Sequence, residues 1–336
     1  MNRRALVFTA PGQVEIVDER LPAPGPGQLL VRTAVAAISA GTELLAFRGL
    51  LPSEMAVDET LAALGGSDRA NAPATFRFPF RYGYAAVGEV LAAGDGVDPE
   101  WLGRDVFAFQ PHASAFAVPA ADVVAVPRGL PAERAVLLAA METAVNLILD
   151  GRPLYGERVV VLGQGTVGLL ATALLAGFPL ETLVAVEGHL LRVEAARRMG
   201  AHQVLAPGTK MPGDADLVYE VSGDPAALDT AIAIAGREGR VIVGSWYGAK
   251  RAPVDLGGHF HRGRLTITSS QVSHIAPGLS GRWDRARRWA AALRALGGID
   301  TSALVTHRIP LGEAQQAYEL LDRHAERAVQ VLLVPG

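Results

Sequence analysis

The sequence predicts an α/β protein: a doubly wound parallel sheet joined to a second, β-rich unit. Three observations predict it. An apolar, β-branched run over 159–162 leads directly into Gly163-Gln164-Gly165-Thr166-Val167-Gly168, and helix formers dominate 169–175. From Pro131 onward, helix-like and strand-like segments alternate, the texture of right-handed βαβ units with helices on both faces of a parallel sheet. Before that point the chain reads as short strands punctuated by Gly and Pro.

Taken in order, residues 1–9 read as a first strand rather than a leader, because two arginines precede no apolar core segment and no small-residue cleavage site. Further strands are expected over 28–35, 84–90, 105–109 and 115–119. Residues 73–82 and the preceding 55–71 carry little pattern and read as a long loop or short helix. Helices are expected over 132–148, 167–176, 190–199 and 226–234. Strands are expected over 159–162, 183–186, 217–221, 240–243 and 265–269. Two amphipathic helices, around 283–296 and 311–322, and a strand over 329–334 form a tail expected to return to the β-rich unit. The expected domains are therefore 1–130 with 275–336, and 131–274.

The strand, the Gly-x-Gly-x-x-Gly turn and the helix together point to a dinucleotide site of the Rossmann type. Gly163 makes the tight turn, Gly165 admits a pyrophosphate close to the backbone, and Gly168 lets the helix pack on the strand. The helix N-terminus, opened by Thr166 and Val167, offers its dipole to the phosphates. Glu187 ends the second strand, about twenty residues past the fingerprint, where a carboxylate accepts from ribose hydroxyls and repels a 2′-phosphate. That favours NAD(H) over NADP(H). Arg192, five residues on, pulls the other way.

Composition narrows the function classes. The 336 residues are half hydrophobic, enough for two cores, and no apolar run suits a membrane span. A net charge of −3 with interspersed signs gives no nucleic-acid or anionic-surface partner. Without cysteine there is no disulfide and no thiolate metal site, and the cytoplasm is the expected compartment.

The order of units resembles the medium-chain dehydrogenase/reductase superfamily, on motifs spread over nearly the whole chain. They are the segments 22–32, Ile38-Ser-Ala-Gly-Thr-Glu43, Gly83-Tyr-Ala-Ala-Val-Gly88, Gly103-Arg-Asp-Val-Phe107, 159–168, 195–201 and 306–318. The resemblance implies a GroES-like, partly barrel-shaped catalytic domain beside the Rossmann domain, a small-molecule substrate and a homodimer. The hexapeptide Ile38–Glu43 is similar to one in bacteriochlorophyllide hydroxyethyl dehydrogenases and other sugar- or polyol-directed members. Zinc members of the superfamily take metal ligands at places matching Ala40, Tyr84 and the neighbourhood of Glu142. Alanine donates nothing and one carboxylate is too few, so the resemblance is to a zinc-independent branch.

Without a metal, side chains must stabilise charge on the reacting oxygen. Thr42 matches a proton-relaying hydroxyl of the zinc enzymes, or satisfies local backbone at a strand end. Tyr84 either protonates a carbonyl or plugs the vacated metal site. His112 is the general-base candidate, since imidazole is the side chain that exchanges protons near neutrality. By family position Gln110, Trp246, Tyr247 and Gln271 are candidate substrate contacts; so is Glu142, unless it faces solvent on its helix, and Glu43, which could instead orient such a base or pair with a structural cation. Ser222, Gly223 and Ser270, at strand ends, are expected along the cofactor. His259 and His261 share one face if they lie on a strand, but lack a third ligand, so no metal site is expected. The reading is an NAD(H)-dependent oxidoreductase interconverting a secondary alcohol and a ketone. Its rivals are a reductase of activated C=C bonds and a non-catalytic nucleotide-binding protein on the same fold.

Overall fold

A computed structural model describes residues 1–51, 76–211 and 213–336. The residues 52–75, most of the weakly patterned stretch, lie outside the described part, as does residue 212. The chain divides into two compact units, Met1–Ala139 with Val305–Gly336, and Ala140–Leu304. The segment 275–304, expected with the β-rich unit, therefore belongs to the α/β unit.

Following the chain, the first unit opens with β1 (Asn2–Ala10), β2 (Gln13–Arg20) and β3 (Gln28–Ala37). After α1 (Ala40–Phe47) come β4 (Ala86–Ala93), β5 (Asp105–Ala108), β6 (Ala115–Pro119) and β7 (Val123–Ala125), then a single turn, α2 (Ala132–Ala135). β1 and β2 form an antiparallel hairpin. The other strands make a seven-stranded sheet with β3 at its centre. In β3 the alternation of Leu, Val and Thr buries every second side chain, as a half-covered sheet requires.

The helix α3 (Leu138–Gly151) leads into the second unit: β8 (Arg158–Leu162), α4 (Thr166–Leu175), β9 (Thr182–Val186), α5 (Leu190–Arg198) and β10 (Gln203–Leu205). Next come β11 (Ala215–Glu220), α6 (Ala227–Ile234), β12 (Ala235–Val243), β13 (Thr266–Ser269) and α7 (Arg285–Gly298). The expected single helix over 132–148 is thus broken into α2 and α3. All six strands are parallel, in the order β10-β9-β8-β11-β12-β13. The central strands are covered on both faces, which is why Val159, Val161, Leu183 and Leu217 form continuous apolar runs without alternation. This is the doubly wound order, reversing between β8 and β11, where a nucleotide crevice opens at the strands' carboxyl ends.

The chain then returns to the first unit as β14 (Val305–Pro310), α8 (Ala314–Arg323) and β15 (Gln330–Val334). β15 pairs with β3, completing the order β14-β15-β3-β4-β5-β7, with β6 also on β3.

His259 and His261 are not on a strand. They lie in a π-turn over Leu256–Phe260 and the short helix after it, and His259 Nε2 meets the Ala235 carbonyl oxygen at 2.6 Å. Thr42 sits in the first turn of α1, not at a strand end, because Ser39 starts a helix there. Among the described residues no helix is long and apolar enough to cross a membrane.

Candidate functional site

In the α/β unit, the glycine turn joins β8 to α4 as its spacing predicts. Gly163 takes φ +91°, and a Cβ there would stand 2.5 Å from Ser222 Cα, so only glycine fits. A Cβ on Gly168 would stand 2.0 Å from the Gly163 carbonyl oxygen; its absence lets α4 pack against the turn. At Gly165, by contrast, nothing lies within 4 Å of the Cβ position, which leaves space beside the backbone for a bound group. Gly165 is the N-cap of α4 and no side chain caps that end. Thr166 and Val167 open the helix. The side chain of Gln164 turns away into the interior, where its amide meets Thr172 Oγ1 at 3.0 Å; only its backbone belongs to the turn.

Glu187 lies at the end of β9 with 8% of its surface exposed. Its Oε2 accepts from the Gln164 amide at 3.0 Å, and its Oε1 from the Gly188 and His189 amides at 2.8 and 3.0 Å. A carboxylate offers about four acceptor positions, so a position remains on Oε2 for a hydroxyl donor. The carboxylate is thereby fixed to the glycine turn itself. Arg192 stands one turn later, near the start of α5.

The ends of β11 and β12 are tied to each other. Glu220, wholly buried, accepts from Ser222 N at 2.8 Å, from Ser222 Oγ at 2.5 Å and from the Tyr247 hydroxyl at 2.5 Å. Burial first, and then the Glu220 carboxylate, push the Tyr247 phenol far above its usual range, so it stays a donor. The Gly223 amide donates to Ser245 Oγ at 2.8 Å, and Lys250 Nζ donates to the Gly223 carbonyl. Trp246 is half-buried on the same connection. Sequence reasoning passed over Glu220, though an acid ending an apolar strand is a visible signal.

A second network runs through α3. Glu142, Asn146 and Asp150, four residues apart, share one helix face. Arg288 of α7, 2% exposed, donates from Nε and Nη2 to Glu142 Oε1 at 3.0 and 2.8 Å, and from Nη1 to Asn146 Oδ1 at 2.6 Å. Asn146 Nδ2 and Asp150 Oδ2 both meet Ser270 Oγ, at 3.0 and 2.7 Å. Burial raises the Asp150 carboxyl above its usual range. Glu142 is therefore neither a solvent-facing acid nor an uncommitted pocket acid; the buried guanidinium claims it. Nothing in the arginine-rich stretch 282–288 marks out Arg288 in the sequence. Gln271 is exposed and caps a local turn through Ser273, N to Oε1 at 2.7 Å.

In the β-rich unit, the motif Ile38–Glu43 folds as the entry to α1. Glu43 is wholly buried: Oε1 accepts from the Ser39 amide at 2.8 Å, and Oε2 meets His112 Nε2 at 2.8 Å and the Tyr318 hydroxyl at 2.5 Å. His112 is likewise 0% exposed, and its Nδ1 has no partner among the described residues. A ring so enclosed, with one nitrogen on a carboxylate, is not placed to take a proton from a substrate. His112, expected as a general base, lies in the interior as a partner of Glu43. Gln110 is also buried.

Tyr84 is half-buried and donates to Ser39 Oγ, with Thr42 Oγ1 at 3.4 Å. Burial pushes its phenol up to about 12, against the opposing pull of Ser39 and Thr42 and with help from Glu43. Three hydroxyls thus converge at the start of α1. Ser39 was missed by sequence reasoning, although it stands inside the quoted motif.

The residues at the places of the superfamily's catalytic zinc do not fit the metal. Ala40 has no donor atom, the Tyr84 hydroxyl donates its hydrogen bond to Ser39 Oγ, and Glu142 is ion-paired with Arg288.

Residues 166–292 match a family described as zinc-binding dehydrogenase. The chain is 28% identical over 235 residues to an L-threonine 3-dehydrogenase of Bacillus licheniformis, a match spanning 65% of this chain and 62%, less than two thirds, of that protein. It is 25% identical over 337 residues to the 2-desacetyl-2-hydroxyethyl bacteriochlorophyllide A dehydrogenase of Cereibacter sphaeroides, covering 95% and 94% of the two chains. Two solved structures share the fold. A short chain alcohol dehydrogenase from E. coli CFT073 in complex with NADH gives TM-score 0.77 at 17% identity, over 99% of each chain. A putative zinc-binding dehydrogenase from Sinorhizobium meliloti 1021 bound to NADP gives 0.78 at 20% identity, over 100% of each.

Proposed function

We propose that the chain is an alcohol dehydrogenase-like member of the medium-chain dehydrogenase/reductase superfamily, an oxidoreductase passing hydride between NAD(H) and a secondary alcohol or ketone without zinc. The observation that carries the reading is the glycine turn with Glu187 bound into it. Strand, turn, helix dipole and strand-end carboxylate are the set of groups a pyridine dinucleotide needs. The cofactor supplies the hydride acceptor or donor. Glu187 favours NAD(H), because a 2′-phosphate would meet its negative charge.

On the oxygen side the chemistry falls to hydroxyls. When an alcohol is oxidised, its hydroxyl proton passes to Tyr84 Oη, the Tyr84 proton to Ser39 Oγ, and the proton of the half-exposed Ser39 hydroxyl to solvent; in reduction the same relay runs in reverse. Thr42 Oγ1 stands 3.4 Å from the same hydroxyl. Because Tyr84 stays neutral up to about 12, its one proton is available across the working range of pH, held to Ser39 Oγ at rest and turned to the substrate oxygen in reduction. The polyol-like or other polar substrate is inferred from the resemblance and from the relative named for L-threonine, itself a polar secondary alcohol. Trp246, Tyr247, Gln110 and Gln271 remain candidate contacts to it.

Calorimetry with NADH and NADPH, with an NAD-linked screen of polyols, sugars and secondary alcohols against enones, tests the reading. Binding of NADH in preference to NADPH with turnover of an alcohol supports it. Absence of any dinucleotide binding, or turnover of enones alone, or loss of activity on removal of tightly bound zinc, overturns it.

A further inference from the structure

We propose that Arg288 is a positioning residue for the nicotinamide half of the cofactor site, acting through the segment 270–274 that its guanidinium pins to α3. The inference rests on the dinucleotide reading of this unit. Glu187, at the end of β9, marks the adenosine side of the crevice. In a doubly wound sheet the dinucleotide crosses the switch point, so its other half falls over the carboxyl ends of β11, β12 and β13. The segment 270–274 continues the chain directly from the carboxyl end of β13.

That segment makes few bonds of its own to the sheet. Ser270 N donates to the Val243 carbonyl at 2.8 Å, and beyond it Gln271, Ser273 and His274 bond mainly to one another. Its other ties run to α3 and α7. Ser270 Oγ is held by Asn146 and Asp150, while Arg288 Nη2 reaches the Val272 carbonyl at 2.5 Å and Nη1 reaches the His274 carbonyl at 3.5 Å. The same guanidinium is locked by Glu142 and Asn146. A buried planar fork that joins two backbone carbonyls to one helix face fixes where the backbone of that segment stands. A compact ammonium could not span those partners.

The test separates fold support from positioning. A buried ion pair can be exchanged for apolar side chains of similar volume without loss of stability, so Glu142→Met with Arg288→Met removes the anchor while keeping the packing. Calorimetry of the full chain is run with NADH and with ADP-ribose, which lacks the nicotinamide. The double variant is expected to bind ADP-ribose within about twofold of the parent and NADH about tenfold more weakly. Equal affinity of the variant and the parent for NADH, or equal losses for both ligands, overturns the proposal. If the double variant shows no cooperative unfolding transition, Arg288→Lys, which keeps the charge but not the planar fork, is measured the same way. It is expected to lose affinity for NADH alone; unchanged affinity, or losses shared with ADP-ribose, overturns the proposal. A parent protein that binds neither ligand overturns the dinucleotide reading itself, and the positioning role with it.

Discussion

At the scale of single residues, commitment to partners decides which polar groups do chemistry. Glu187 is held by three backbone amides and keeps a spare acceptor position, so its charge is fixed where the ribose would lie. Replacing it with serine (E187S) should narrow the NADH-to-NADPH preference by about tenfold, read as the ratio of kcat/KM values; an unchanged ratio removes the ribose role. His112 and Tyr84 make opposite cases. His112→Ala takes away one of the buried partners of Glu43, leaving it the Tyr318 hydroxyl and the Ser39 amide, and should cost about 1–3 kcal/mol of stability, with kcat of the folded protein preserved. Tyr84→Phe removes a donor to the reacting oxygen and should lower kcat on the order of a hundredfold, with NADH affinity kept. A catalytic loss in H112A larger than in Y84F would reverse these assignments.

Between neighbouring elements, contact at the backbone matters more than any side chain. The β8–α4 junction works because Gly168 and Gly163 touch with no side chain between them. Gly168→Ala would press a methyl against the Gly163 carbonyl oxygen, at a cost of about 1–3 kcal/mol. Because the turn and the phosphate cradle share that backbone, dinucleotide affinity should fall as well; an alanine variant with parental midpoint and parental affinity would contradict the close contact. The same turn, with β8, β9 and Glu187, was legible in the sequence, because it is written in consecutive residues whose types admit few conformations. The site network of α3 and α7 was not. Glu142 and Arg288 lie 146 positions apart and meet only because two helices pack together.

For the whole molecule, buried phenols set a common limit. Tyr82, Tyr84 and Tyr318 in one unit and Tyr219 in the other are all raised above the usual tyrosine range, chiefly by burial. A raised folded value means the folded state holds the proton more tightly. The associated stability is therefore present below about pH 10 and lost as pH climbs through the folded values, about 12 for Tyr84. The urea midpoint should be flat from about pH 8 to 9.5 and fall steadily beyond about pH 10; a midpoint that holds to about pH 12 would show these phenols to be solvent-accessible. Both units share this behaviour although each has its own core and its own sheet. The first unit is completed only after the whole of the second has been traversed, since β15 closes the sheet on β3.

The amino-acid sequence alone determined the class of fold, the glycine turn and the acid that follows it, because strand periodicity and glycine spacing are local properties that act over a few residues. It also showed that the expected metal positions hold an alanine and a tyrosine. Only the tertiary structure decided that His112 and Glu142 are spoken for, that Ser39 joins Tyr84 and Thr42, and that 275–304 packs with the α/β unit. Those outcomes depend on which distant groups burial brings into contact, and a buried polar atom takes whichever partner lies within reach.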